Sequence, residues 1–116
     1  MAEQDCIFCK IVAGEIPAQL VYEDEGAVAF RDINPQAPTH VLVIPRAHVA
    51  SLAEAGEGHE SLLGRLLLAA ARVAREAGLA ESGYRTVINN GAGAGQSVFH
   101  LHLHVLGGRP LKWPPG

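Results

Sequence analysis

The sequence predicts an α+β fold, a largely antiparallel sheet of about five strands carrying one long helix and a short N-terminal one. Three observations lead there. Short apolar or β-branched runs follow one another across turn residues, one stretch has helical apolar periodicity, and the chain holds no repeat or domain-scale linker. The 116 residues, 48% apolar and 18% charged, suit a single folded domain over 1–116 rather than a disordered segment.

Taken in order, Ile7-Phe8-Cys9-Lys10-Ile11-Val12 reads as a helical turn within an N-terminal C-x-x-C segment, 1–14, closed by Gly14 and then Pro17. Leu20 to Glu23 and Ala27 to Arg31 are strands joined at Asp24-Glu25-Gly26, a hairpin signal. A turn-rich connection with Pro35 and Pro38 leads to the β-branched run Thr39 to Ile44, which Pro45 stops. Glu57 to Leu79 is the long helix. Leu62, Leu66, Ala69, Ala70, Val73 and Ala77 share one stripe, and Gly78 supplies the stop. Tyr84 to Asn89 is a further strand, Asn90 to Ser97 a glycine-rich loop, and Val98 to Leu106 a long final strand. The tail 107–116, with three prolines, is irregular.

Charge and hydropathy narrow the function. The net charge is −3, and the nine Lys and Arg residues are scattered. That excludes the basic stripe with which proteins track a nucleic-acid backbone. No run approaches the ~18 apolar residues of a membrane span, so a soluble, cytoplasmic protein is expected.

Cys6 and Cys9 are the only cysteines. A C-x-x-C pair this near the N-terminus lacks the preceding strand of a thioredoxin-like redox motif. As a metal motif it is half a zinc site and needs two more ligands. Three of the six histidines are His100, His102 and His104. On a strand, alternate residues face one side, roughly 6.5–7 Å apart, while Leu101, Leu103 and Val105 turn to the core. Such a face is a histidine-rich surface, a metal site, or a catalytic site. The neighbouring loop favours the last. Gly91, Gly93 and Gly95 allow the backbone to approach a ligand, and Gln96-Ser97 runs into the histidines. Backbone donors, a hydroxyl and imidazoles suit a phosphate that gains negative charge in a transition state. A neutral imidazole is also a competent nucleophile near pH 7. His59, near the helix start, is expected to be a surface residue.

The segment His100-Leu101-His102-Leu103-His104-Val105-Leu106 resembles the signature of the histidine-triad nucleotide hydrolases and transferases. The resemblance extends through Glu15-Ile16-Pro17-Ala18, 32–40 from Asp32 to His40, Val43-Ile44-Pro45-Arg46-Ala47-His48 and Gly95-Gln96-Ser97-Val98. The ending Trp113-Pro114-Pro115-Gly116 looks like the Hint branch, the purine nucleoside phosphoramidases. The resemblance implies that His102 attacks the α-phosphorus to form a covalent nucleotidyl-histidine, which water hydrolyses. It implies that His104 contacts the phosphate, that His40 orients the nucleophile, and that Ser97 binds phosphate and helps protonate the leaving amine. Asn89, Gly95 and Gln96 would lie around the phosphate, and Asp32 would hold the ribose hydroxyls. Ile7, Phe8, Ile11, Phe30, Ile33 and Leu42 would wall the purine pocket.

The cysteines resemble those of zinc-carrying members, which implies a structural zinc on Cys6, Cys9, His48 and His100 and no metal in catalysis. The resemblance also implies a homodimer whose strands pair into one continuous sheet, with the Trp113 tail reaching the partner's active site. Alternative functions are a dinucleoside polyphosphate hydrolase, a non-enzymatic nucleotide-binding adaptor, and a hydrolase or oxygenase whose active metal is shared by His100, His102 and His104.

Overall fold

The computed structural model describes residues 5–116; positions 1–4 of the N-terminal segment lie outside the described residues. Five strands form one antiparallel sheet in the order β1-β2-β3-β5-β4. They are β1 (Leu20–Glu23), β2 (Ala27–Arg31), β3 (Thr39–Pro45), β4 (Tyr84–Val87) and β5 (Leu103–Gly107). Helix α1 (Ile7–Val12) precedes them and α2 (Glu60–Glu76) lies between β3 and β4. The α+β class and the strand count are as the sequence predicts.

The β1–β2 hairpin closes on Asp24, whose Oδ1 accepts the amides of Gly26 and Ala27, both at 2.8 Å. This is an Asx turn, and it explains why an acidic residue opens the connection. Helix α2 covers one face of the sheet. Leu66, Ala69, Ala70, Val73 and Ala74 pack there on Ala27, Ala29, Val41, Val43, Leu101, Leu103 and Val105. Burying Leu66 alone contributes about 1.5–3 kcal/mol. On the opposite face, α1 closes a smaller cluster in which Cys6 and Phe8 meet Val28, Phe30, Leu42 and Ile44. The site lies on that face.

Three elements are shorter than predicted. The helix predicted over Glu57 to Leu79 starts with a 3₁₀ turn at Glu57–His59 and is α-helical over Glu60–Glu76. His59 is more than a surface residue, since its Nδ1 accepts the Gly56 amide at 3.0 Å and caps that turn. Ala77, placed on the stripe by periodicity, follows the last turn and is exposed. Strand β4 ends at Val87 rather than Asn89.

The largest difference is β5, which begins at Leu103 and not at Val98. The upstream backbone has other partners. Leu101 donates to the Val49 carbonyl at 2.6 Å, and the Gln96 side chain takes the Val98 carbonyl at 3.1 Å. The Pro45 carbonyl, at the end of β3, accepts from the His100 ring at 2.8 Å. The alternation of faces survives this break, for Leu101, Leu103 and Val105 are all core residues under α2.

Candidate active site

The three alternating histidines diverge into two centres. His100 is fully buried and turns toward the N-terminal cysteines. His102 and His104 line a cavity of about 460 Å³ between α1, β2 and the segment before β5. His40 on β3 joins His104 through the sheet register. His104 is opposite Leu42 and His40 is opposite Leu106, so the two histidines are diagonal neighbours on one face.

The hydrogen bonds fix the ring tautomers. The Gln36 amide donates to His40 Nδ1 at 3.0 Å, so the proton of neutral His40 sits on Nε2. That Nε2–H donates to His104 Nδ1 at 2.9 Å, with Asp32 Oδ2 a more distant 3.4 Å away. His104 in turn carries its proton on Nε2, a buried atom that has no hydrogen-bond partner among the described residues. Burial, then the neighbouring His102 and His40 rings, push the His104 pKa down to about 4 against an opposing pull from Asp32. At neutral pH His104 is therefore an uncharged N–H donor with its donor unused. His102 is set the opposite way. Its Nδ1–H donates to the His100 carbonyl at 2.8 Å, which leaves the Nε2 lone pair available for nucleophilic attack.

The cavity brings together many of the residues singled out from sequence. Its lining includes Ile7, Phe8, Ile11, Phe30, Ile33 and Leu42, with Asp32, Ser97, His102 and His104 at the polar end. Phe8 stands edge-on to Phe30 at 5.5 Å and to His102 at 5.2 Å. Ile33, wholly exposed, stands at the mouth. Ile16, Pro17, Ala18, Gln19, Arg31 and Val98 complete the lining. Sequence patterning did not single these six out as site residues, because each is an ordinary loop, edge or apolar position.

Asn89, Gly95 and Gln96 do not line the cavity. The Gln96 side chain is buried and braces the glycine loop: it accepts from the Gly91 amide at 2.8 Å and donates to the Ala50 and Val98 carbonyls at 2.8 and 3.1 Å. Gly91 and Gly95 have φ of 88° and 92°, conformations that a side chain would strain. The positive φ of these glycines makes the loop's tight turn, and the Gln96 side chain braces it.

The second centre consists of Cys6, Cys9, His48 and His100, whose potential ligand atoms all lie within 4.8 Å of one another. His100 Nδ1 is 3.4 Å from Cys6 Sγ, 3.5 Å from Cys9 Sγ and 3.2 Å from His48 Nδ1, and Cys9 Sγ is 3.2 Å from His48 Nδ1. A tetrahedron with zinc–ligand bonds of about 2.0–2.3 Å has edges of roughly 3.3–3.8 Å, so the donor set fits this ion. The His100 Nε2–H, anchored on the Pro45 carbonyl, orients the ring for ligation through Nδ1. Among the described residues no ligand group holds His100, His102 and His104 together: His100 faces the cysteines, while His102 and His104 face the cavity. A larger groove of about 550 Å³ beside α2 has no histidine, and its Arg65 and Arg72 already face Asp24 and Glu76.

A model of the HIT domain matches residues 13–111. The chain belongs to the HIT family. Among HIT proteins, it is 49% identical over 111 residues to the purine nucleoside phosphoramidase of Escherichia coli, covering 96% of this chain and 92% of that one. It is 56% identical over 112 residues to the 14 kDa zinc-binding protein of Zea mays, covering 95% and 87%. The crystal structure of a HIT family hydrolase from Legionella pneumophila superposes with a TM-score of 0.95 at 52% identity, covering 97% of this chain and all of that one.

Proposed function

We propose that this HIT-family hydrolase cleaves purine nucleoside 5′-phosphoramidates to the nucleoside monophosphate and an amine through a covalent adduct on His102. The observation that carries the proposal is the pairing at the cavity floor. His102 presents an unprotonated Nε2, and beside it His104 offers an unused Nε2–H. A nucleophile next to a fixed donor is what displacement at phosphorus requires.

In the first half-reaction the His102 lone pair forms a bond to the α-phosphorus while the P–N bond breaks. The departing amine takes a proton from the Ser97 hydroxyl. In the second, water attacks the phosphorus, the His102–phosphorus bond breaks, and a water proton restores Ser97. His104 holds a non-bridging oxygen throughout, and His40 keeps it in the donating tautomer. Asp32 accepts the ribose hydroxyls, and Phe8, Ile11, Phe30 and Leu42 enclose the base. The name of the E. coli relative supports the P–N bond as the target.

Zinc would be held by Cys6, Cys9, His48 and His100, a closed set with no open position. When bound it supplies structure and leaves the chemistry to His102 and its neighbours. A homodimer is also proposed: among the described residues the outer edge of β4 has no strand beside it, Leu67 and Leu68 on α2 are exposed, and Trp113 is 82% exposed on the tail. In that assembly the tail shapes the leaving-group side of the partner's site.

The test is kcat/KM for AMP-amine, GMP-amine and a dinucleoside polyphosphate on one preparation. A clear preference for the two amines is expected. Preference for the polyphosphate would move the activity to another branch of the family, and AMP binding without turnover of any substrate would make the protein an adaptor.

A further inference from the structure

Helix α1 has six residues, too few to be stable alone in water. Backbone hydrogen bonds from Lys10 to Cys6, Ala13 to Cys9, Gly14 to Ile11 and Glu15 to Lys10 close within the segment itself. Side chains therefore hold α1 on the protein, and they leave the same turn in two directions. Cys6 and Cys9 meet His48 and His100. Ile7, Phe8 and Ile11 line the cavity. Phe8 links the two, standing 5.9 Å from the His100 ring and 5.2 Å from the His102 ring.

We infer that metal occupancy of the Cys6–Cys9–His48–His100 tetrad and purine binding in the cavity are coupled through α1, each tightening the other. The inference rests on the nucleotide site proposed above and names a regulation of it. With metal bound, two coordination bonds tether α1 and its apolar residues are held as a finished wall. Without metal, the tethers are thiol–imidazole contacts, which are weak hydrogen bonds. The wall then samples other positions, and a purine must first order it. The coupling is reciprocal, because linkage requires the same factor in both directions, on the order of tenfold here. It acts on the base and not on the sugar-phosphate, since α1 contributes no polar group to the phosphate end.

The experiment titrates zinc-loaded and chelator-treated full-length protein with AMP and with ribose 5-phosphate by calorimetry. It also follows zinc release to excess chelator from loaded protein, with and without AMP. Chelation is expected to weaken AMP about tenfold and ribose 5-phosphate less than about twofold, and AMP to slow zinc release measurably, linkage fixing the equal factor for zinc affinity and not for the rate. The release arm needs no stable metal-free protein. As a second variant, Ile11→Ala in loaded protein, which removes wall but no ligand, is expected to weaken AMP and shrink its effect on zinc release. Equal AMP affinity in both forms would overturn the coupling and leave the nucleotide site standing. Equal weakening of both ligands would assign the effect to general loosening and also overturn it. AMP binding to neither form would remove the nucleotide site itself, and failure to take up zinc would remove the metal.

Discussion

The relay from His40 to His104 makes a prediction whose size follows from its geometry. In His40→Ala, His104 Nδ1 loses the donor that now sits 2.9 Å away. Two consequences follow. A half-buried ring nitrogen is left without its partner, and the proton of His104 is no longer directed to Nε2, the atom without another use. Leaving a buried acceptor unsatisfied costs about 1–3 kcal/mol. Because Asp32 and the vacated space can partly compensate, about 1–2 kcal/mol should reach the transition state, a factor of about 5–30 in kcat/KM. His40→Gln, whose amide nitrogen can stand near the Nε2 position, should recover most of this. The assay is steady-state hydrolysis of an AMP-amine, joined to nitrogen NMR of the His104 ring. In the wild type the ring should be neutral and protonated on Nε2, and in His40→Ala a mixture of tautomers should appear. Wild-type kinetics with an unchanged His104 tautomer in His40→Ala would refute the relay. So would a loss beyond about a thousandfold, since one hydrogen bond supplies far less than that.

Three other perturbations test the fold and the site. Leu66→Ala removes a side chain with no exposed surface from the centre of the α2 contact, and chemical denaturation should show a loss of about 2–5 kcal/mol. Gln96→Ala leaves the Gly91 amide and the Ala50 and Val98 carbonyls without their partner. It should cost about 1–3 kcal/mol and raise hydrogen exchange in the glycine loop. His104, with a pKa pushed down from 6.5 to about 4, resists protonation in the folded state while the unfolded chain takes up the proton. Its contribution is therefore complete above pH 6.5 and is lost as pH falls toward 4. Discounted for its partial exposure, it amounts to about 1–2 kcal/mol, and His104→Gln should flatten that limb of the stability–pH curve.

The sheet and its two helices were legible because their signals are local. Asp24-Glu25-Gly26 carries its own turn chemistry, and the α2 stripe carries its own period. What periodicity missed was competition for backbone groups. Residues 98–102 alternate like a strand, yet Leu101 bonds Val49, Gln96 takes Val98, and His100 takes the carbonyl at the end of β3. These partners are 2 to 55 positions away, and no local pattern announces them. Within this stretch His100 reaches the cysteines while His102, with His104, reaches the cavity, so three histidines that alternate in sequence serve two centres. Gln96 has a role that its neighbours in sequence do not announce: its buried side-chain amide holds the glycine loop. The cavity's remaining walls, such as Ile16 and Val98, have no signature in sequence because only the packing of α1 against β2 makes them a surface.

A nucleotide carried by the second histidine of the triad would be trapped as an adduct. Protein mixed with an AMP-amine should be quenched in alkali within the first turnovers, since phosphohistidine survives base, and digested for peptide mass spectrometry. One adenylyl group is expected on His102, absent in His102→Ala, which should also lose turnover by several orders of magnitude. Adenylation of His100 or His104, or near-wild-type turnover by His102→Ala, would contradict it.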